Sequence, residues 1–135
     1  MRVREREDCL AQALKGLDQD QFYDRIIEFG KSLPPFPPHL RTQQNRVLGC
    51  QSLLYCAVEL EAGLLKIFID SDALISKGLG AFAHFLFDGM SIQHALEERI
   101  TIFEKLDLFT TLSLTRLNGL ESLLRHILVK VIHIK

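Results

Sequence analysis

Leu53-Leu54-Tyr55-Cys56-Ala57-Val58-Glu59-Leu60-Glu61-Ala62-Gly63-Leu64-Leu65-Lys66-Ile67-Phe68-Ile69-Asp70 is the stretch that decides the fold of this chain. Leu53 to Glu61 is rich in apolar and β-compatible residues. Ala62-Gly63 then supplies a two-residue turn, and Leu65, Ile67 and Ile69 alternate against Lys66, Phe68 and Asp70. Two such runs joined by a short glycine-containing turn predict a β-hairpin with one apolar face. The segment just upstream, Asn45 to Leu48, offers a short third strand.

Everything outside this hairpin reads as helix or connector. Leu10, Ala13, Leu14 and Leu17 give residues 5–17 the apolar spacing of a helix. Asp18 and Asp20 break that segment and offer an N-cap to the next. There, between Gln21 and Ser32, Phe22, Ile26 and Phe29 fall at i, i+4 and i+7. Leu33-Pro34-Pro35 ends this second helix, because proline disfavours the helical conformation of the residue before it. Pro34-Pro35-Phe36-Pro37-Pro38 reads as a stiff strap that carries the chain onward, with Phe36 pinning it to the core, in preference to a polyproline ligand for another domain.

Beyond the hairpin, Ser71-Asp72 is placed to cap a strongly apolar helix that reaches about Phe87. Gly78 and Gly80 inside it cost about 1 kcal/mol each relative to alanine, so another backbone is expected to pack closely there. His84 falls on its polar stripe with Lys77 and Asp88. Ser91 opens a shorter helix through about Glu98, and another is expected around Ile102 to Leu106. Residues 112–119 lead into a last helix, where Leu117, Leu120, Leu124, Ile127, Val131 and Ile134 form one apolar stripe and Glu121 pairs with Arg125 at i, i+4. That stripe is expected to pack on the chain's own sheet.

At 135 residues the chain is expected to form a single domain, residues 1–135 with a core at about 20–130. A net charge of −1 leaves no electrostatic footprint for nucleic acid or an anionic membrane, and neither is expected as a partner. Three cysteines, at 9, 50 and 56, are too few and too irregular for a disulfide framework and point to a reducing compartment. The N-terminus mixes both charges with no apolar run behind it, and the longest apolar stretch, Leu79 to Phe87, is too short to span a bilayer. The expected location is cytoplasmic.

The chemistry-bearing segment precedes the hairpin: Asn45-Arg46-Val47-Leu48-Gly49-Cys50-Gln51-Ser52. One thiol stands between a glycine and two small polar residues. Gly49 permits a sharp turn and keeps bulk away from the sulfur. Arg46, folded toward Cys50, would favour the thiolate, the form that does nucleophilic chemistry. A Cys-x-x-Cys redox pair, a phosphate-binding glycine loop and a nucleotide fingerprint are all absent from the sequence. A cysteine hydrolase would need a histidine base, and none of the five, at 39, 84, 94, 126 and 133, stands in a context that favours it, although proximity in space stays open. A metal cluster needs several thiolates or imidazoles at one point. Cys50 and Cys56, joined by extended chain, would lie about 20 Å apart. Cys56 reads as a strand cysteine in the core.

The octapeptide resembles the signature of the SufE family, sulfur-acceptor proteins of iron–sulfur cluster assembly. The similarity runs from about Asp20 to Lys130. It takes in Glu28-Phe29-Gly30-Lys31-Ser32-Leu33-Pro34, the proline strap, Leu40-Arg41, Asn45, Val47 and Gly49-Cys50-Gln51-Ser52. It continues through Asp70-Ser71-Asp72-Ala73-Leu74-Ile75, Lys77-Gly78-Leu79 and Arg116-Leu117-Asn118-Gly119-Leu120. Tyr55 stands in the region where family members often carry tryptophan, and Leu114-Thr115-Arg116 replaces the usual Pro-Ser-Arg lead into the last helix.

The resemblance implies an α+β fold, a two-layer sandwich of a small antiparallel sheet packed on helices, like that of the SufE and IscU proteins, with the thiol on a loop at one end. It implies that Cys50 takes the outer sulfur of a persulfide on a cysteine desulfurase, stimulates that enzyme, and passes the sulfur to a downstream iron–sulfur scaffold. The pyridoxal phosphate (PLP) would belong to the desulfurase, and this chain would bind no cofactor and no metal. Gly49, Gln51, Arg46 and the Arg116/Asn118 pair would shape the thiol loop and its docking face, and Cys50 is expected to be shielded until docking. The alternatives are a cluster-binding scaffold and a docking regulator through which no sulfur passes.

Overall fold

The computed structural model describes residues 1–134. The hairpin forms as β1 (Leu54–Glu61) and β2 (Leu64–Ser71), antiparallel, with Cys56 opposite Ile69 and Val58 opposite Ile67. Directly opposed residues share a face, so Leu54, Cys56, Val58, Leu65, Ile67 and Ile69 form one apolar surface. Tyr55, Glu59, Lys66, Phe68 and Asp70 occupy the other. Ala62 and Gly63 both take positive φ, 53° and 81°, as a two-residue turn matched to strand twist requires.

A lone hairpin is marginal in water, and its outer edges are templates for pairing. Here both edges are satisfied locally. On β1, the Val47 amide donates to Leu54 O at 2.8 Å and His126 Nε2 donates to Cys56 O at 3.0 Å. On β2, Leu65 exchanges 2.7 Å bonds with Gly89 and Met90, and the Ile67 amide donates to Asp88 Oδ1 at 2.8 Å. The third strand foreseen at Asn45–Leu48 therefore shrinks to a single bridge, Arg46 to Tyr55. A histidine from the last helix takes the next carbonyl that a longer strand would have used.

Seven helices surround the hairpin among the described residues: α1 (Val3–Leu14), α2 (Gln19–Lys31), α3 (Leu74–Phe87), α4 (Ile92–Glu97), α5 (Ile102–Lys105), α6 (Leu108–Thr111) and α7 (Leu114–His133). The fold is α+β, with the sheet's inner face on α3 and α7 and with α2 packed against α3. Asp18 caps α2 through a reciprocal pair: its carboxylate accepts from the Gln21 amide at 2.8 Å, while Gln21 Oε1 accepts from the Asp18 amide at 3.0 Å. Ser91 and Ser113 cap α4 and α7 in the simpler way. α7 thus begins several residues before the point at which its apolar stripe becomes regular, and α6 is a short turn that the sequence pattern does not mark.

Contrary to the sequence expectation, Asp72 does not cap α3. Ala73 holds the cap position without a side-chain bond, and Asp72 Oδ1 instead accepts from the Leu53 amide at 3.0 Å. The carboxylate ties the end of the hairpin to the start of β1.

The glycines of α3 do let neighbours in. A Cβ at Gly78 would stand 2.3 Å from the carbonyl oxygen of Ile26, and one at Gly30 would stand 3.0 Å from the Gly78 amide, so α2 and α3 cross backbone to backbone. Gly80 differs from expectation: its close neighbour is the Ile69 side chain. Phe36 does not reach the core. Its ring lies 6.2 Å from that of Tyr55, and the Arg41 guanidinium sits about 5 Å from both. Arg41 also donates to Asp70 Oδ2 at 2.6 Å. Burial pushes the Asp70 carboxyl up, but Arg41, Lys77 and the Ser71 amide together hold it below its ordinary range. The strap is pinned to the outer face of the sheet. No helix among the described residues is long and apolar enough to cross a membrane.

Candidate functional site

The chain leaves the proline strap through two 3₁₀ turns, Pro38–Leu40 and Gln43–Asn45, and reaches Val47, which is buried and anchored to β1. After this anchor the loop turns outward. Leu48 is 74% exposed, and Gly49 adopts φ +87°, a conformation that L side chains rarely take. A Cβ there would also meet Ser122 Oγ at 2.7 Å, so Gly49 is required both by its backbone angle and by its proximity to α7.

That turn delivers Cys50, half-buried, to a cavity of about 390 Å³. The loop contributes Cys50, Gln51 and Ser52; β1 contributes Leu54, α3 Ser76 and Leu79, and Ser113 and α7 provide the remaining wall, with Arg116, Gly119 and Leu123. Gly119 leaves room for the sulfur: a Cβ there would stand 3.3 Å from Cys50 Sγ. The sulfur lies 3.3 Å from Ser52 Oγ, and that hydroxyl lies 2.8 Å from Ser76 Oγ. Arg116 is held over the Tyr23 ring at 5.2 Å and donates to its hydroxyl at 3.3 Å, while Tyr23 donates to Thr111 O at 3.1 Å. α2 therefore positions the cation that lines the cavity.

The structure brings Cys50, Gln51 and Arg116 together and leaves two candidates outside. Arg46 does not turn toward the thiol. It bridges to Tyr55 and lines a separate cavity of about 440 Å³ with Leu48, Ser122, His126 and Lys130. Anchoring Val47 to β1 fixes that direction. Asn118 is exposed on α7 and does not line the cavity of Cys50. Ser52, Ser76 and Gly119, by contrast, touch the sulfur or the hydroxyl beside it. Ser52 and Gly119 stand within recognisable motifs, whereas Ser76 carries no sequence signal at all.

The other thiols are elsewhere. Cys56 is buried in the core, where burial pushes its thiol far above the ordinary range, and Cys9 is exposed on α1. Among the described residues no three histidine, cysteine, aspartate or glutamate side chains converge as metal ligands do. His84 does lie beside Asp88 on the polar stripe of α3, but its Nε2 is buried, 3.6 Å from Asp88 Oδ1, and burial lowers its pKa.

Comparison with known proteins gives the family and the fold. The SufE family model, described as the Fe–S metabolism associated domain, matches residues 8–131. A solution structure of a hypothetical protein from Thermus thermophilus is similar in fold, with a TM-score of 0.78 at 21% identity over 93% of each chain.

Proposed function

The chain belongs to the SufE family of Fe–S metabolism associated domains, and from that premise we propose that it is a sulfur carrier whose Cys50 accepts a persulfide sulfur from a PLP-dependent cysteine desulfurase. The Cys50 thiolate attacks the outer sulfur of the donor's persulfide. The donor's S–S bond breaks, its electron pair leaves with the donor cysteine as a thiolate, and a new S–S bond forms on Cys50. No net oxidation occurs. A nucleophile of the downstream iron–sulfur scaffold then takes the outer sulfur, and Cys50 is released as a thiolate. Contact with this chain also stimulates the desulfurase, and the PLP stays with that partner.

The observation that carries this reading is the placement of Cys50. One half-buried sulfur projects into a cavity roomy enough for a second sulfur, with Gly119 withdrawn from it and Arg116 in its wall. Such a cavity shields a persulfide from oxidants, which attack thiolates according to their exposure. Two exposed leucines, Leu48 at 74%, two residues before Cys50, and Leu114 at 73%, between the lining residues Ser113 and Thr115, suit a protein surface that closes over the mouth. The burial of Cys56 and the exposure on α1 of Cys9, which is not among the residues lining the Cys50 cavity, favour a single-thiol carrier over a cluster cage.

Intact-mass analysis after incubation with a cysteine desulfurase, PLP and cysteine tests the reading. Wild type should gain one or more sulfur atoms, reversibly with reductant, and Cys50→Ser should gain none. An unmodified wild type beside a persulfidated desulfurase overturns sulfur transfer, and stimulation by Cys50→Ser would then identify a docking regulator.

A further inference from the structure

We propose that Ser76, through Ser52, is a positioning residue for the Cys50 sulfur: the two hydroxyls form a relay that stabilises the thiolate, both as the nucleophile and as the leaving group of the hand-off. The inference rests on the carrier reading for its purpose but on geometry for its substance. Cys50 Sγ, Ser52 Oγ and Ser76 Oγ form a chain with steps of 3.3 and 2.8 Å.

A serine hydroxyl carries one proton and two acceptor lone pairs. With a neutral thiol, either direction of the chain is possible. A thiolate can only accept, so its charge fixes one order: Ser52 O–H donates to sulfur, and Ser76 O–H donates to the Ser52 oxygen. Hydrogen bonds to an ionised acceptor are stronger than neutral ones, and a donor that is itself hydrogen-bonded polarises further. The relay therefore favours the charged form.

Ser76 can do this because it sits in the first turn of α3, facing the loop, where Asp72 has already tied the strand end to Leu53. Of the residues lining the cavity from the loop, β1, α3 and α7, Arg116 alone is charged. Arg116 donates to Tyr23, and the hydroxyls of Ser52 and Ser76 form the hydrogen-bond chain that leads to sulfur.

The relay acts in both halves of the transfer. In acceptance it raises the share of Cys50 present as the attacking thiolate. In release, a nucleophile attacks the outer sulfur, the bond between the two sulfurs breaks, and its electron pair goes to Sγ, where Ser52 donates at once. A better-stabilised thiolate leaves faster.

The test uses the purified chain in a Cys9→Ser background, since Cys9 is exposed and Cys56 is buried. The rate of iodoacetamide alkylation of Cys50 is followed against pH. Ser52→Ala and Ser76→Ala should each move the midpoint of the profile upward and slow alkylation at neutral pH by about threefold to tenfold, one pH unit corresponding to tenfold. Ser76→Thr, which keeps a hydroxyl, should restore the wild-type profile. Alanine is the best helix former, so Ser76→Ala keeps α3, and melting curves verify the fold of each variant. A wild-type profile in Ser76→Ala overturns the relay even if Ser52→Ala shifts, because the effect would then stop at the first neighbour. No sulfur donor is involved, so failure here leaves persulfide loading untouched, and failure of loading leaves this profile untouched.

Discussion

Cys50 is served by two glycines that look alike in the sequence and do different work. Gly49 is held at φ +87°, so an alanine there strains the loop whatever space it finds. Gly119 lies in a regular turn of α7, and among the described residues the close neighbour of an added Cβ from outside the local helix is Cys50 Sγ at 3.3 Å. The sulfur sits on a loop and can give way by a few tenths of an ångström. Gly119→Ala should therefore leave the melting temperature unchanged or raise it, since alanine is favoured in a helix by up to about 1 kcal/mol. Persulfide loading should nevertheless slow by about tenfold, because displacement of a reacting atom by an ångström can cost ~100-fold. Loading rates from intact mass, set beside thermal melts, check both halves; a destabilised variant that loads at the wild-type rate would refute the assignment of Gly119 to the sulfur. At this scale the sequence pointed to Cys50, Gln51 and Arg116, because each stands in a contiguous motif. It misdirected Arg46, which lies four residues from the thiol in the chain yet faces another cavity. Proximity along a chain says little about direction once an intervening residue, here Val47, is anchored to a strand. Ser76 was illegible for the complementary reason: it lies 24 positions from Ser52 in the chain, with the whole hairpin between them.

Elements are positioned by close crossings as much as by apolar stripes. The spacing of Phe22, Ile26 and Phe29 was enough to predict α2, and the apolar run after Asp72 was enough to predict α3, but only the structure shows where they meet. Ile26 O would lie 2.3 Å from a Cβ at Gly78. Backbone atoms cannot rotate out of the way, so Gly78→Ala must push α2 off α3. Overpacking costs ~1–3 kcal/mol and helix propensity returns at most about 1. Contact with backbone places this case at the upper end, and a net loss of about 2 kcal/mol is expected. Urea unfolding should show it as a lower midpoint with an unchanged slope; an unshifted midpoint would mean that the helices can slide apart freely. The displacement should also reach the cavity, since α2 carries Tyr23, which holds Arg116, and α3 carries Ser76. The third strand was the main misreading among the elements. Alternation alone cannot show that Cys56 O is already taken by His126.

The molecule as a whole closes its two-stranded sheet with groups that titrate, and this gives its stability a pH dependence. His126 donates to Cys56 O on one edge, and His84 lies beside Asp88, whose carboxylate holds the Ile67 amide on the other. Burial lowers the pKa of both histidines. For His126 the bond to Cys56 O opposes the shift and Lys130 adds to it; for His84 Asp88 opposes it and Arg6 adds to it. In the unfolded chain both titrate near the ordinary histidine value of about 6.5. The folded state thus binds fewer protons than the unfolded state in the window below that value, and stability rises with pH through the window. The contribution is fully present above about pH 6.5 and is lost as pH falls toward the lower folded-state values, at a limiting slope of about 1.4 kcal/mol per pH unit for each histidine. Unfolding free energy measured by urea at a series of pH values should be flat near neutrality and fall on acidification. His126→Gln keeps a donor for Cys56 O and removes one titration, so it should flatten the acid limb while costing little at neutral pH. A limb of unchanged slope just below about pH 6.5 in that variant would show that His126 protonates equally easily folded and unfolded, and would leave His84, beside Asp88 and the second sheet edge, as the source of the loss above the carboxylate range, where Asp70 adds its own.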